Sequence, residues 1–253
     1  MTRETGESDA ELPADVVLLW GLRAAPRRGP KSALTVEDIT RAAVEVADAE
    51  GLSAVSMARV AAQLGNATMA LYRHVKSKDE LLLLMSDAAL EDPPDLPETG
   101  DWRTRLTQWS YSMMSVLRRH PWFTQIPIAG PPLGPRNLAW FDRALACLSE
   151  TALPEGEKVG VVMGLMTHVH GQLRLSADLA AGYEENPEAF GRQYGAALTR
   201  LVDPRQLPAL SKVVSAGVFD LDSLYEEDDQ DFDFGFGLYL DGVAAFIERT
   251  TSS

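Results

Sequence analysis

The segment 34–90 carries start and stop signals for several short helices, and these signals constrain the fold more than any other feature of the chain. Thr35 and Ser56 each stand where a helix N-cap is expected, and Gly51 and Gly65 stand where those helices should end. Apolar residues of the first helix recur at three- and four-residue steps: Val36, Ile39, Ala43, Val46 and Ala47. The pattern predicts a compact helical unit.

A tight turn separates the second and third of these helices. The turn is centred on "LGN", residues 64–66, and the next helix, "ATMALYRHV" at 67–75, is barely two turns long. Ser77 to Glu80, "SKDE", reads as a capping box that starts a fourth helix. Two helices joined in this way have the spacing of a helix-turn-helix motif, whose second helix lies in the major groove of DNA. The same spacing also fits a helical bundle that contains one short helix.

The helix-turn-helix interpretation selects candidate contacts to double-stranded DNA. Thr68 and Met69 lie near the start of the third helix, where side chains meet base edges and thymine methyl groups. Basic and hydroxyl groups around them can reach backbone phosphates, which set register without reading sequence. The full candidate set is Arg27, Arg28, Lys31, Ser56, Thr68, Met69, Tyr72, Arg73, His74, Lys76 and Lys78, of which Thr68, Met69 and Arg73 are the candidates for specificity.

The net charge of −14 is unusual for a protein that binds DNA, but the charge is unevenly distributed. Between Gly21 and Leu90 there are nine basic and eight acidic residues, so this segment is nearly neutral. The excess of acid lies before and after it. An acidic body can therefore carry a locally basic face.

Three prolines in "EDPPDLPETGD", residues 91–101, predict a domain boundary. We expect an N-terminal extension with a basic arm at 1–32, a DNA-binding domain at 33–90 and a larger helical domain at 98–253. The stretch "PEGEKVGVVMGLMTHVHGQLRLSADLAAG" is apolar around most of a helix, which favours a core position plus a subunit interface. No alternating strand pattern occurs, so the predicted fold is all-α. The first twenty residues fit either a short helix packed on the body or a disordered leader.

Other classes of function find little support in the sequence. The chain has no glycine-rich phosphate loop, no G-x-S-x-G and no H-E-x-x-H, which argues against an enzyme and against a bound cofactor. Cys147 is the only cysteine, and His168 and His170 would point about 200° apart on a helix, so we expect no metal site. The chain has no apolar run long enough to span a membrane and no basic leader, and we therefore expect a cytoplasmic protein.

Several stretches resemble the TetR family of bacterial repressors. Residues 34–85 are similar to its DNA-binding domain in the "AEGL" that ends the first helix, in "VAAQLG" and in "LYRHVKSKDELL", and "RRGPK" at 27–31 looks like the family's basic arm. "RRHPW", "GPPLGPRNLAWFDRAL" and "FDFGFGLYLDGVAAFI" resemble, more weakly, the C-terminal domain of the tetracycline repressor group. Three residues depart from the family pattern: Asn66 in the turn, Ala67 at the start of the recognition helix and Ala58 in the second helix, so the operator cannot be borrowed from a relative.

The resemblance implies two all-α domains and a homodimer whose late helices form a four-helix bundle. It also implies a repressor that reads a near-palindromic operator and leaves it when a small molecule binds. Bulky residues on the helices expected to surround that ligand are candidates, with plain core packing as the alternative for each: Trp109, Met113, His120, Trp140, Met163, Met166 and His170. His120 precedes Pro121 and fits a helix cap equally well. A ligand-binding or interaction module with a degenerate DNA-binding domain is the alternative function.

Overall fold

The computed structural model describes residues 12–22, 34–97, 100–127, 133–185, 192–219 and 230–251. All regular elements in these ranges are helical, which confirms the predicted all-α class. The α-helices are α1 (Ala14–Leu19), α2 (Val36–Glu50), α3 (Met57–Gln63), α4 (Thr68–Leu71), α5 (Lys78–Ala88), α6 (Trp102–Arg119), α7 (Pro135–Cys147), α8 (Glu155–Glu185), α9 (Arg192–Leu201), α10 (Pro208–Ser215) and α11 (Gln230–Thr251). Short 3-10 helices lie at Leu52–Ala54 and Pro121–Gln125. In the described ranges no helix is both long enough and apolar enough to cross a membrane.

Local capping fixes where α2 and α3 begin, as the sequence predicts. The Thr35 hydroxyl accepts a hydrogen bond from the Asp38 backbone N–H at 3.1 Å, and the Asp38 side chain accepts one from the Thr35 N–H, which makes a complete capping box. The Asp38 carboxyl has a lowered pKa, chiefly because of its hydrogen bond with the Thr35 side chain. At α3 the Ser56 hydroxyl accepts a hydrogen bond from the Arg59 N–H at 3.1 Å.

The start of α5 follows the prediction in part. The Ser77 hydroxyl accepts a hydrogen bond from the Glu80 N–H at 3.0 Å, so the predicted N-cap is present. The Glu80 carboxylate accepts a hydrogen bond from the backbone N–H of Lys76, one residue before the cap. The glutamate therefore satisfies a backbone donor of the preceding turn, which ties that turn to α5.

Helices α2 to α5 share one hydrophobic core. Its fully buried members come from all four helices and from the segments between them, including Ile39, Val46, Val55, Val60, Leu71, Val75, Leu81 and Met85. Each of these helices is too short to be stable alone in water, so burial of its apolar face is what holds it. The core fixes the orientation of α4, the shortest of them.

The N-terminal stretch that the sequence left open forms a helix, α1. Val16 and Leu18 are buried, and Leu18 belongs to the core of α2 to α5. The indole Nε1 of Trp20 donates a hydrogen bond to the carbonyl oxygen of Leu133 at 2.8 Å. Residues 14–20 therefore pack on the body.

The described chain divides into two compact units, residues 1–163 and 164–253. In the first unit, α6 and α7 pack through Trp109 and Trp140, whose rings meet edge to face with centroids 5.8 Å apart. In the second unit, Phe232 of α11 stacks on His168 of α8 and on Phe236. The boundary predicted at 91–101 lies inside the first unit and stays a prediction.

Candidate nucleic-acid interface

The turn between α3 and α4 has the geometry that the helix-turn-helix interpretation requires. Gly65 has φ +64°, and the Asn66 N–H donates back to the carbonyl oxygen of Ala61 at 2.9 Å, which closes α3. The Asn66 side chain donates to the carbonyl oxygen of Leu64 at 2.9 Å. Asn66, which departs from the family pattern, is thus used to hold the turn.

The short helix α4 has one face in the core and one face in solvent. Leu71 and, just beyond the helix, Val75 are fully buried. Met69 is 71% exposed and Tyr72 is 42% exposed, although both are large groups that usually lie inside. The outward face therefore presents a methionine and part of a tyrosine to solvent.

Regular α-helix in this element is shorter than the two turns expected from the sequence. It ends at Leu71, after which the N–H groups of Arg73 and His74 bond to carbonyl oxygens three residues back. The tightening brings Val75 back into the core and leads the chain directly into the Ser77 cap. The recognition element is one helical turn with a 3-10-like extension.

Basic groups flank the exposed face of α4. Arg73, Lys76 and Lys78 are exposed, and within the described ranges none of them belongs to a salt bridge. Ser56, the N-cap of α3, is also exposed, and its hydroxyl accepts from Arg59 while its own proton is free for a phosphate oxygen. Thr68 and His74 are half-buried. These positions suit phosphate contacts around a central base-reading helix.

Arg59 is engaged in a structural ion pair. Its Nε donates a hydrogen bond to Glu50 Oε1 at 3.1 Å, and this bond joins α3 to the end of α2. The hydrogen bond from Arg59 lowers the pKa of Glu50 and raises that of Arg59. Glu50 thereby neutralises Arg59, which is the one arginine of α3. The predicted contacts Arg27, Arg28 and Lys31 lie outside the described residues.

The candidate ligand residues fall into different surroundings. Trp109, Met113 and Trp140 are buried in the first unit, where Trp109 Nε1 donates to the carbonyl oxygen of Trp140 at 3.0 Å. Met163 is 45% exposed on α8. In the second unit, Met166 and His170 are half-buried by surface area, and desolvation lowers the pKa of His170.

His120 has a structural contact that sequence reasoning did not anticipate. It is the C-cap of α6, and its Nδ1 lies 2.7 Å from Oδ1 of Asp48 on α2. Asp87 is a second residue that was missed; its carboxylate is buried against the start of α7. The only sequence signal for Asp87 is an acid inside the apolar run "LLLLMSDAAL".

The buried core of α2 to α5, the tight α3–α4 turn and the exposed face of α4 define a helix-turn-helix DNA-binding protein. A family model for bacterial regulatory proteins of the tetR family matches residues 33–85, and a model for the tetracyclin repressor-like C-terminal domain matches residues 93–247. The chain belongs to the TetR family of transcriptional regulators.

Relatives extend the similarity over the whole chain. The HTH-type transcriptional repressor DrrR1 of Streptomyces coeruleorubidus is 36% identical over 256 residues, which cover 98% of this chain and 90% of that protein. The solved structure of apo ActR from Streptomyces coelicolor superposes with a TM-score of 0.69 at 26% identity, covering 86% of this chain and 98% of that one. ActR in complex with actinorhodin gives the same TM-score of 0.69 and the same 26% identity, with 85% and 97% covered.

Proposed function

We propose that this protein is a dimeric repressor that inserts α4 of each subunit into successive major grooves of a near-palindromic operator. The exposed outer face of α4 carries the proposal, because Met69 is 71% exposed on a helix whose opposite side is locked in the core. The buried side of α4 fixes the backbone at Met69, and the flexible thioether side chain can adapt to thymine methyl groups and base edges. Residues 33–90 would form the DNA-binding domain and 98–253 the effector and dimerisation domain.

Selection of random duplex DNA by the purified protein tests the proposal. We expect enrichment of a near-palindrome with half-sites about 34 to 36 Å apart, one helical turn of DNA. A Met69→Ala variant should change or weaken the base preference while leaving the half-site spacing intact. Absence of any enriched site at low salt, with folded protein, would favour the ligand-binding module with a degenerate DNA-binding domain.

The basic arm contributes affinity without sequence preference in this proposal. Arg27 and Arg28 precede the domain, and each phosphate contact adds about 0.9 to the dependence of log affinity on log salt. Replacing both with alanine should lower affinity for all sequences and flatten the slope by up to about two. Fluorescence anisotropy at several salt concentrations measures both the affinity and this slope. An unchanged slope would remove these arginines from the interface.

A small molecule would release the operator by favouring a dimer with the wrong half-site spacing. The solved complexes of ActR with actinorhodin and with (S)-DNPA support a small-molecule effector for a protein of this fold. The candidate pocket residues stay Trp109, Met113, His120, Trp140, Met163, Met166 and His170. A hundredfold preference for the released form supplies about 2.7 kcal/mol per site, enough for an observable switch.

Actinorhodin is the first compound to test, by operator release and by thermal melting. Binding that raises the melting temperature and weakens operator affinity would support release by this class of compound. If it has no effect, a library screened by melting temperature identifies binders. Binders that stabilise the protein but leave operator affinity unchanged would contradict release.

We infer a non-enzymatic role in the cytoplasm, where bacterial DNA is found.

A further inference from the structure

The connection between α6 and α7 packs into the core of the DNA-binding helices. Trp122, in the 3-10 helix that follows α6, is buried and belongs to the same hydrophobic cluster as Ile39 and Leu81. Phe123 and Ile126 are partly buried against that cluster. A segment within the matched C-terminal family model is therefore, by packing, part of the DNA-binding core.

One carboxylate of α2 holds the first end of this connection. Asp48 Oδ1 accepts a hydrogen bond from Trp122 Nε1 at 2.6 Å and lies 2.7 Å from His120 Nδ1. With the proton on Nδ1, both ring N–H groups converge on the same oxygen. Two directional bonds fix the end of α6 against α2 more tightly than apolar contact alone, which tolerates sliding.

A carboxylate of α5 holds the second end. Asp87 is only 5% exposed, and its Oδ1 accepts hydrogen bonds from the backbone N–H groups of Arg136 and Asn137 at 3.1 and 3.0 Å, and from Asn137 Nδ2 at 3.1 Å. These donors form the first turn of α7, where the helix dipole also favours a negative charge. A residue of α5 thus serves as the N-terminal cap of α7.

Gly134 makes the approach of Asp87 possible. A Cβ atom added there would lie 2.1 Å from Asp87 Oδ1, closer than any real contact. The neighbouring carbonyl oxygen of Leu133 accepts the hydrogen bond from Trp20, so α1 is attached to the same end of the connection. The start of α7 is therefore built around its contact with α5.

We propose that Asp48 and Asp87 are the positioning residues through which a displacement of α6 or α7 reaches the DNA-binding helices. The proposal rests on the proposed function and adds the two hydrogen-bonded contacts that couple α6 and α7 to the DNA-binding helices. Asp48 acts on α2 and Asp87 on α5, so the DNA-binding core is held at two separate helices and cannot turn about a single contact. Thermodynamic reciprocity requires that operator binding, in return, change the stability of the start of α7.

Hydrogen exchange on the full-length protein, with and without the operator duplex from the selection, tests this coupling. We expect operator to slow exchange about threefold or more at the start of α7 in the natural protein. In folded Asp87→Ala and Asp48→Ala variants, which lack the accepting oxygen, that effect should disappear from α7 while protection of α2 to α5 persists. Asn137→Ala, which removes one donor only, provides a milder variant if Asp87→Ala is unstable.

Asp101→Ala is the matched control. Asp101 also caps a helix of the effector domain, accepting from the Thr104 N–H at 2.8 Å, but the cap is local to α6. This variant should lose stability and keep the operator effect on α7. Persistence of that effect in either Asp87→Ala or Asp48→Ala, or its absence in the natural protein, would overturn the proposal.

Failure of the proposed function would be seen separately, as the absence of an operator. The same variants then remain informative without DNA. Loss of the Asp87 contact should speed exchange in α5 and α7 together, whereas Asp101→Ala should affect α6 alone. Exchange that rises in only one of α5 and α7 would contradict the connection between them.

Discussion

At the scale of single residues, substitution of Tyr72 can distinguish a role in DNA binding from a role in folding. Its side chain is 42% exposed, while the adjacent Leu71 is fully buried. We expect Tyr72→Ala to weaken operator binding about fivefold or more, by about 1 kcal/mol for a lost contact, with unfolding free energy changed by less than about 0.5 kcal/mol. Leu71→Ala should instead lower stability by about 2 kcal/mol or more. Anisotropy and urea unfolding measure the two effects.

Tyr72→Phe refines this test. The variant retains the ring and removes only the hydroxyl, so a loss equal to that of Tyr72→Ala would assign the effect to a phosphate hydrogen bond. A Tyr72→Ala protein that melts as early as Leu71→Ala would show that Tyr72 is structural.

The lowered pKa of His170 predicts a pH-dependent stability. Desolvation holds the folded-state pKa below its ordinary value near 6.5, so the unfolded chain binds the proton more readily. The stabilising contribution is complete above pH 6.5 and falls as acid is added toward the folded-state pKa. Urea unfolding between pH 8 and 5, at fixed protein concentration, should show this fall. His170→Gln should lack that part of the curve; superimposable curves would refute the assignment.

At the scale of elements, the sequence predicted the contacts that join residues close together in the chain. Thr35, Ser56 and Gly65 were predicted as caps and as a helix stop, and the hydrogen bonds confirm each because a cap involves only residues three or four apart. Asp48 and Asp87 were not predicted. Their partners lie 72 to 74 and 49 to 50 residues away, and sequence periodicity contains no information on pairs so distant.

The same distinction explains α1 and the boundary between domains. Residues 14–19 bury only two side chains, and their helix is stabilised by the body and by the Trp20 hydrogen bond to Leu133, which composition cannot reveal. Helix α5 ends at Ala88, before the prolines of 91–101, and the domain boundary predicted there stays a prediction. Packing of Trp122 back onto the DNA-binding core is a tertiary event that no local pattern indicates.

Substitutions at Gly65 test how much the helix-turn-helix geometry depends on one backbone conformation. Its φ of +64° disfavours any residue with a Cβ, yet a Cβ added there meets nothing within 4 Å. We therefore expect Gly65→Ala to cost about 1 to 2 kcal/mol of unfolding free energy through conformation alone. Gly65→Asn should cost less, because asparagine tolerates the left-handed region. Equal losses in the two variants, measured by urea unfolding, would point to a steric cause instead.

At the scale of the whole molecule, the exposed apolar residues of α11 need a partner surface. Phe234 and Leu238 are one helical turn apart and both are exposed, whereas Phe232, Phe236 and Leu240 of the same helix are buried. A helix that is apolar on both its buried and its exposed side is typical of an interface. The proposed repressor reads a near-palindrome with two recognition helices, one from each subunit, and we therefore propose α11 as part of the dimer interface.

Leu238→Asp provides the test of that interface. Leu238 is 58% exposed, so an aspartate there can remain hydrated in a monomer, but in a dimer it would be buried without a partner. We expect the dimer dissociation constant to rise about a hundredfold or more, with operator affinity falling in parallel because paired half-sites need paired recognition helices. Sedimentation at several protein concentrations measures the assembly, and helix content by circular dichroism reports whether the monomer is folded.

Leu201→Asp is the matched control, since Leu201 is 78% exposed on α9 and the same substitution should leave assembly unchanged. A Leu238→Asp protein that sediments as the natural protein does, and binds operator equally well, would place the dimer interface elsewhere.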